Sequence, residues 1–183
     1  PREARFVSAF GAQAPPVPPT DLLDPERWPD LDWGRLSAHH GLDAATMLAR
    51  FPPHRSPDPD HWTHLVQTHQ AEVVERTIEV LRRLKYHPNG GFSVHTLTEA
   101  QPQIGFAAFD HDGRAQPAAG GIARACRPVI VVADPFPTAL VAGDEVDQAV
   151  HVVSDLRHEL TDCTVTVDLR HPEGDAQWRF TGD

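Results

Sequence analysis

Five acidic and histidine residues lie close together in this sequence and are of the types that bind metal ions. They are Asp58, Asp60, His61, His64 and His69. His61 and His64 are three residues apart and would share one face of a helix. A zinc site would need a third ligand on that face, but His69 falls on the predicted apolar stripe, where a histidine is typically a core residue. We therefore expect no metal and no other cofactor.

A second set of charged residues follows on the same predicted helix. Acidic and basic side chains recur there three and four residues apart: Glu72, Glu75, Arg76, Glu79, Arg82 and Lys85. Such pairs stabilise an exposed helix weakly. The pattern therefore indicates a solvated helix face rather than a catalytic site.

Three tryptophans, Trp28, Trp33 and Trp62, are candidates for contact with a sugar, since aromatic rings stack on sugar rings. Core packing is the alternative interpretation, because a buried tryptophan removes a large apolar area from water. We retain Trp33 as a candidate sugar-binding residue.

Apolar spacing predicts two helices that would position these residues. Apolar side chains recur at helical spacing over residues 60–86. The pattern ends at Pro88-Asn89-Gly90-Gly91, because proline cannot continue a helix and glycine accepts a positive φ. A second, shorter helix is predicted over residues 117–125, with Pro117 in its first turn.

Short apolar runs on either side of the long helix predict strands. Residues 5–10 indicate a buried strand that ends at Gly11, and residues 92–98 indicate another. Residues 104–109 predict a further extended piece. The connection over residues 20–58 contains five prolines and only a short helical pattern at residues 44–48, so it is predicted to be largely irregular.

The pattern changes after Arg127, where short strands follow one another with glycine and aspartate turns between them. They are predicted at residues 129–132, 149–153, 162–169 and 177–180. This arrangement is typical of the start of a β-sandwich. The predicted fold class is therefore α/β followed by β, with domains at residues 1–127 and 128–183.

The composition excludes several classes of function. The chain has 183 residues, 40% of them hydrophobic, and a formal net charge of -10. An acidic surface repels nucleic-acid phosphates, and no apolar run is long enough to span a membrane. Cys126 and Cys163 fit no metal or redox spacing. Unpaired thiols and the lack of a visible signal peptide favour a cytoplasmic location, and a first residue other than Met predicts a fragment.

Several segments resemble, in order, the β-mannosidases of glycoside hydrolase family 2. Arg5–Gln13 resembles the segment in which an aromatic strand runs into Ser-Glu-Phe/Tyr-Gly-x-Gln. Residues 70–83 look like the helix that follows, and Gly90-Gly91-Phe92 opens the next strand. Residues 108–114 resemble the family's Ile-Asp-Tyr-Tyr-Gly-Arg turn, and Arg127-Pro128-Val129 its exit into the following domain.

This resemblance implies a position within a larger fold. Residues 1–127 would be the last quarter of a (β/α)₈ barrel, with strands 7 and 8 and their helices, and residues 128–183 the start of an immunoglobulin-like domain. Active sites of such barrels lie at the C-terminal ends of the strands. Two strand–helix units leave open sheet edges, so the expected partner is the remainder of the barrel, on the same or another polypeptide.

The sequence departs from the family at the catalytic nucleophile. Retaining glycosidases use two carboxyl groups about 5 Å apart. In the family the nucleophile is the Glu of Ser-Glu-Phe-Gly, where this chain has Ala9. The acid/base Glu belongs to an Asn-Glu motif on an earlier strand, which this sequence does not contain. A methyl group cannot attack a sugar, so the chain is predicted to be inactive as given.

A second departure lies at the next strand. The family's Trp-Gln-Leu-Asn-Asp-x-Trp-Pro run is replaced at residues 95–102 by His-Thr-Leu-Thr-Glu-Ala-Gln-Pro. His95 and Glu99 remain candidates for binding a hydroxyl-rich ligand, together with Gln13 of the strand-7 motif and Trp33.

Two functions follow from these residues. The first is a fragment of a hydrolase of terminal β-mannosides or related O-glycosides, in which natural decay or a deliberate substitution has placed Ala9. The second is a non-catalytic carbohydrate-binding or assembly component derived from a glycosidase. The retained residues around Ala9 favour the first function, and the altered run at residues 95–102 favours the second.

Overall fold

The structure, a computed structural model, describes residues 5–17, 22–137, 139–170 and 174–182. Its contacts divide the chain into two compact units, one ending at Val153 and one beginning at Ser154. The sequence-based boundary between residues 127 and 128 stays a prediction.

The long helix predicted from apolar spacing is present as α3, Pro59–Arg83. It begins where the side chain of Asp58 accepts a hydrogen bond from the His61 N–H and where Pro59 occupies the first helical position. It ends three residues before the predicted end, with Leu84 as its C-cap. The predicted short helix is confirmed as α4, Pro117–Ala125.

Two further helices occupy the segment that was predicted to be largely irregular. They are α1, Trp33–His40, and α2, Ala44–Arg50, and 3₁₀ turns lie at Pro25–Arg27 and Pro53–Arg55. Asp32 and Asp43 cap the two helices by accepting N–H groups three residues on. The prediction missed α1 because its eight residues are mostly polar or small and bury only Leu36.

The main core forms between α3 and this helical segment. Trp62 and Val66 of α3 are fully buried there against Leu23, Leu36 and Ile104. Burying each such side chain contributes about 1.5–3 kcal/mol. Ala14 is also buried in this core, at the start of a proline-rich stretch whose Pro18 and Pro19 lie outside the described residues.

The segments predicted as the first two strands pair with each other in parallel, but only over a few residues. The Val7 N–H donates to the Gly91 carbonyl (3.2 Å), and the Ser93 N–H donates to the Val7 carbonyl (2.9 Å). The isolated bridge between Val7 and Phe92 is parallel. The prediction of a buried strand at residues 5–10 was wrong in one respect, since Phe6 is 57% exposed. The hydrogen bonds join this segment to its neighbour along one backbone edge, and most of its side chains are exposed.

Four short strands follow α4, close to their predicted positions. β1, Val129–Ala133, pairs with β2, Val150–Ser154, and Ile130, Val132 and Val153 form a small buried cluster. In the second unit, β3, Cys163–Leu169, pairs antiparallel with β4, Ala176–Gly182. Within the described ranges, no helix combines the length and apolarity needed to cross a lipid bilayer.

Candidate functional site

The candidate site lies where the two parallel segments end, near Ala9 and His95. Because Val7 and Phe92 pair in parallel, both segments run toward the same edge. Gly11 (φ +146°) turns the first segment there, and a Cβ built on it would lie 3.9 Å from the His95 carbonyl oxygen and 3.5 Å from Phe106. The structure thus brings the loop after Ala9 next to His95.

Ala9 is exposed at this edge and presents only a methyl group. His95 is also exposed, with its ring 6.4 Å from that of Phe106 at an interplanar angle of 42°. The peptide bond between His95 and Thr96 is cis. An imidazole beside an aromatic ring can hydrogen-bond and stack, but neither residue supplies the carboxylate of a glycosidase nucleophile.

Glu99 is half-buried and is held by its own loop. Its Oε1 accepts a hydrogen bond from the Ala107 N–H (3.0 Å), and its Oε2 accepts one from the Gln103 side chain. A Cβ at Gly105 would collide with the same carboxylate, so glycine allows the Glu99 side chain to lie against this backbone without being displaced. The structure therefore gives Glu99 a role in shaping residues 99–107, and sugar binding by Glu99 stays a prediction.

Gln13 connects three segments. Its Nε2 donates to the carbonyls of Gly41 (2.6 Å) and Ile104 (3.2 Å), and its Oε1 accepts from the Asp43 N–H (2.8 Å). Both amide hydrogens are thereby used within the chain. Gln13 fixes the loop that follows Ala9. Contact of its amide with a ligand stays a prediction, and such a contact would have to replace one of these hydrogen bonds.

The three tryptophans pack on the main core, not on the loop of Ala9. Trp62 is fully buried, and its Nε1 donates to the Phe51 carbonyl (2.7 Å). Trp28 lies 6.1 Å from Trp62 between ring centroids. Trp33 opens α1 and packs half-buried against the same core. Sugar stacking by Trp33 stays a prediction, since the structure describes its packing alone.

Two glutamines of α3 support the site and were not singled out from the sequence. Gln70 is fully buried, and its Nε2 donates to the carbonyls of Ala12 (3.0 Å) and Gly105 (3.2 Å). Gln67 donates to the Pro15 carbonyl (2.8 Å). An available signal was the placement of Gln70 four residues from both Val66 and Val74, within the apolar stripe. A buried amide at such a position must find hydrogen-bond partners.

The prediction of a solvated face for the charged residues of α3 was partly wrong. Arg82 is only 6% exposed and donates to the carbonyls of Ala125 (2.5 Å) and Arg127 (2.7 Å), at the end of α4. Glu75 pairs with Arg124 of α4 through two hydrogen bonds of 2.8 Å and 2.5 Å. These residues therefore join α3 to α4. Helix α4 in turn holds the segment that contains His95 against α3.

The histidines of α3 do not assemble into a metal site. Among the described residues, no group of three His, Cys, Asp or Glu side chains could hold a metal ion. His69 lies 5.2 Å from Phe51 between ring centroids and hydrogen-bonds Arg50 through Nε2 (3.0 Å). Burial, and then the Arg50 charge, lower the pKa of His69, and the Glu72 charge opposes this shift. Cys126 is exposed and Cys163 is half-buried.

The chain is similar to solved structures in its fold. No protein-family profile and no curated protein sequence matches this chain. Among solved structures, one match covers 98% of the chain with a TM-score of 0.66. It is a β-D-mannosidase. The enzyme comes from Dictyoglomus thermophilum, and the two sequences are 20% identical. The likeness establishes a shared fold, and the chain spans 22% of the length of that enzyme chain.

Proposed function

We propose that this chain is the C-terminal part of the catalytic barrel of a family 2 β-mannosidase-like glycoside hydrolase, followed by the start of an immunoglobulin-like domain. In that assignment Ala9 occupies the position of the nucleophile, and the chain does not hydrolyse glycosides as given. The observation that carries the proposal is the parallel bridge between Val7 and Phe92, which lie two and three residues before Ala9 and His95, within a fold similar to part of a β-mannosidase.

The open edge beside Ala9 supports an origin in a larger sheet. Val7 directs both its N–H and its carbonyl at residues 91–93, so the backbone groups of Phe6 and Ser8 point to the opposite side. Among the described residues, neither has a backbone hydrogen-bond partner. Unpaired N–H and C=O groups along the edge of a sheet form a template on which another strand can pair. The remainder of a barrel, on the same or another polypeptide, would supply that strand.

A second candidate function is carbohydrate binding or assembly without catalysis. The observation that favours it is the substitution at residues 95–102, together with the bonds that tie Gln13 and Glu99 into the fold. A site whose polar groups hold its loops in place can keep its conformation after the catalytic residues are lost. Binding would then rest on His95 and on groups from the rest of the protein.

The test begins with the intact mass of the purified protein under denaturing conditions. A polypeptide heavier than 20.2 kDa, or a second chain that copurifies with it, would supply the missing barrel. In that complete protein, Ala9→Glu should raise hydrolysis of p-nitrophenyl β-D-mannoside by at least about a thousandfold, since a covalent nucleophile is restored. Ala9→Gln is the matched control, because it has the same size without the negative charge.

The outcomes separate the two functions. Activity with Glu and none with Gln supports the hydrolase origin of the site. Equal inactivity of both variants in a folded, complete protein would contradict the assignment of Ala9 to the nucleophile position. Mannoside binding without turnover in both variants would favour the non-catalytic function.

A further inference from the structure

The sequence contains a single asparagine, Asn89, and a glycine follows it. In such a pair the asparagine side chain deamidates faster than before other residues, because glycine has no Cβ to hinder the approach of its nitrogen. The pair lies in the turn between α3 and the segment that contains His95. The sequence therefore places its one asparagine, in its most reactive context, at the start of the second parallel segment.

Deamidation of this pair proceeds in two steps. A bond forms between the Gly90 nitrogen and Cγ of Asn89, and the bond from Cγ to Nδ2 breaks. Nδ2 leaves as ammonia and takes up the proton that the Gly90 nitrogen has lost. Water then opens the cyclic imide at either of its carbonyls, which gives aspartate or isoaspartate. The first step therefore requires a free Gly90 nitrogen and an Asn89 side chain that can turn toward it.

The folded turn occupies both of these groups. The Gly90 N–H donates to the Arg5 carbonyl (2.7 Å), and Oδ1 of Asn89 accepts from the Gly91 N–H (2.9 Å). Asn89 is only 3% exposed, and its own N–H donates to the Leu84 carbonyl (3.0 Å). Cyclisation would have to break the bonds of Gly90 and of Oδ1 in a place shielded from water. The fold as described therefore blocks the reaction.

This block depends on a short contact between two segments. Residues 5–7 are joined to residues 90–93 by the bond from Gly90 to Arg5 and by two bonds of Val7, to Gly91 (3.2 Å) and from Ser93 (2.9 Å). Segments held by a few exposed hydrogen bonds open locally at a lower free energy than the whole fold. Detachment of residues 5–7 would free the Gly90 N–H while α3 remains folded on its own core.

We propose that Asn89 is a site of spontaneous deamidation that opens when residues 5–7 detach from residues 90–93. The product hinders their return. Isoaspartate adds a methylene group to the backbone before Gly90, and aspartate places a carboxylate where Nδ2 of Asn89 is buried without a hydrogen-bond partner. A reversible detachment is thereby converted into a permanent covalent change. This inference does not depend on the proposed function.

The first experiment compares the folded 183-residue chain with the same chain unfolded in guanidinium chloride, both at mildly alkaline pH. Peptide mass spectrometry follows the conversion of Asn89 to aspartate and isoaspartate. We expect the folded chain to react at least about tenfold more slowly, because the reaction needs local opening. In the unfolded state, Gly90→Ala should slow the reaction by a similar factor, since its Cβ hinders the attack. Equal rates in the folded and unfolded chain would overturn the protection.

The second experiment tests whether residues 5–7 control the site. Val7→Pro removes the N–H that donates to Gly91, whereas the matched control Ser8→Pro removes an N–H that points away from residues 91–93. Folded Val7→Pro should deamidate at least about tenfold faster than folded Ser8→Pro. Circular dichroism checks that α3 is retained in both. Equal rates in two folded variants would overturn control by residues 5–7.

Hydrogen exchange of the native chain decides the question even if Val7→Pro does not fold. Exchange of the Gly90 amide measures the fraction of molecules in which this segment is open. The folded deamidation rate should equal the unfolded rate multiplied by that fraction. The amide of Ile78, in the buried face of α3, should exchange at least about tenfold more slowly than that of Gly90. Equal protection of Gly90 and Ile78 would mean that only global unfolding exposes Asn89, which would overturn the proposal.

Discussion

Gly121 of α4 lies so close to Ala71 of α3 that a Cβ on the glycine would be 3.1 Å from the Ala71 carbonyl oxygen. The neighbouring Gly120 has only the end of the Arg124 side chain within a comparable distance. Two glycines in one short helix are thus used differently. Gly121 allows the backbones of α3 and α4 to approach each other, and Gly120 leaves the surface beside Arg124 open.

Alanine at these two positions should therefore have opposite effects on stability. Gly120→Ala should raise the free energy of unfolding by about 0.5–1 kcal/mol, because alanine favours the helix and Arg124 can move aside. Gly121→Ala should lower it, since the α3 backbone cannot yield as a flexible side chain can. Urea denaturation of the two variants measures both. Equal changes of the same sign would contradict the close approach of α3 and α4.

Arg82 should be the most costly cation of α3 to remove. Its guanidinium, almost fully buried, satisfies the carbonyls of Ala125 and Arg127 at the end of α4. Arg82→Met keeps much of the apolar stem but leaves those carbonyls unpaired, so the free energy of unfolding should fall by about 2–3 kcal/mol. Arg27→Met, at an exposed position, is the control for loss of one positive charge. A similar small effect of both substitutions would argue against this capping role.

His69 should make the free energy of unfolding decrease as the pH is lowered. Its folded-state pKa is lowered, chiefly by burial and then by Arg50, so the folded state resists protonation more than the unfolded chain does. The stabilising contribution is complete above the unfolded pKa of about 6.5 and is lost as the pH falls from there through the lower folded pKa. His69→Gln should therefore lose less stability than the native chain between pH 7.5 and pH 5.5.

The measurement for His69 is the unfolding midpoint in urea at each pH, for the native chain and for His69→Gln. His39→Gln is the matched control, since His39 is exposed on α1. The control should follow the native pH dependence. If His69→Gln follows it as well, the depressed pKa does not contribute to acid sensitivity.

Gly105 and Glu99 should be energetically coupled. A methyl group at Gly105 displaces the Glu99 carboxylate, which then loses its hydrogen bond from the Ala107 N–H. Gly105→Ala alone should cost about 1–2 kcal/mol of unfolding free energy. In a Glu99→Ala background the same change should cost less, because the carboxylate is absent. A double-mutant cycle measures the difference, and strictly additive effects would contradict the contact.

The sequence predicted the elements with strong periodicity and missed those held by side-chain contacts. The apolar stripe of α3 and the proline at the start of α4 indicated both helices, α4 at its predicted bounds and α3 with an end three residues earlier than predicted. Helix α1 was missed because its stability comes from the Asp32 cap and the burial of Leu36, not from a long apolar face. Burial of residues 5–10 was predicted from composition, which does not show how many neighbouring strands are present.

The closeness of the loop after Ala9 to His95 was predictable from the sequence, but the hydrogen bonds within these loops were not. The resemblance pointed to Ala9 and to residues 95–99, and the parallel pairing brings Gly11, which follows Ala9, close to His95. Sequence could not indicate that the Gln13 amide binds Gly41 and Ile104, because those partners are 28 and 91 residues away. Long-range backbone contacts of this kind depend on the folded loops and carry no local signature.

The β3–β4 hairpin has a consequence for the lifetime of this chain in a cell. Its register places Val165 opposite Phe180 and Val167 opposite Trp178, so one face is wholly apolar, and Phe180 and Trp178 are 57% and 46% exposed. Chaperones and proteases recognise such surfaces on polypeptides that have not reached their final assembly. Burial of this face by a further strand or domain should therefore raise the abundance of the protein.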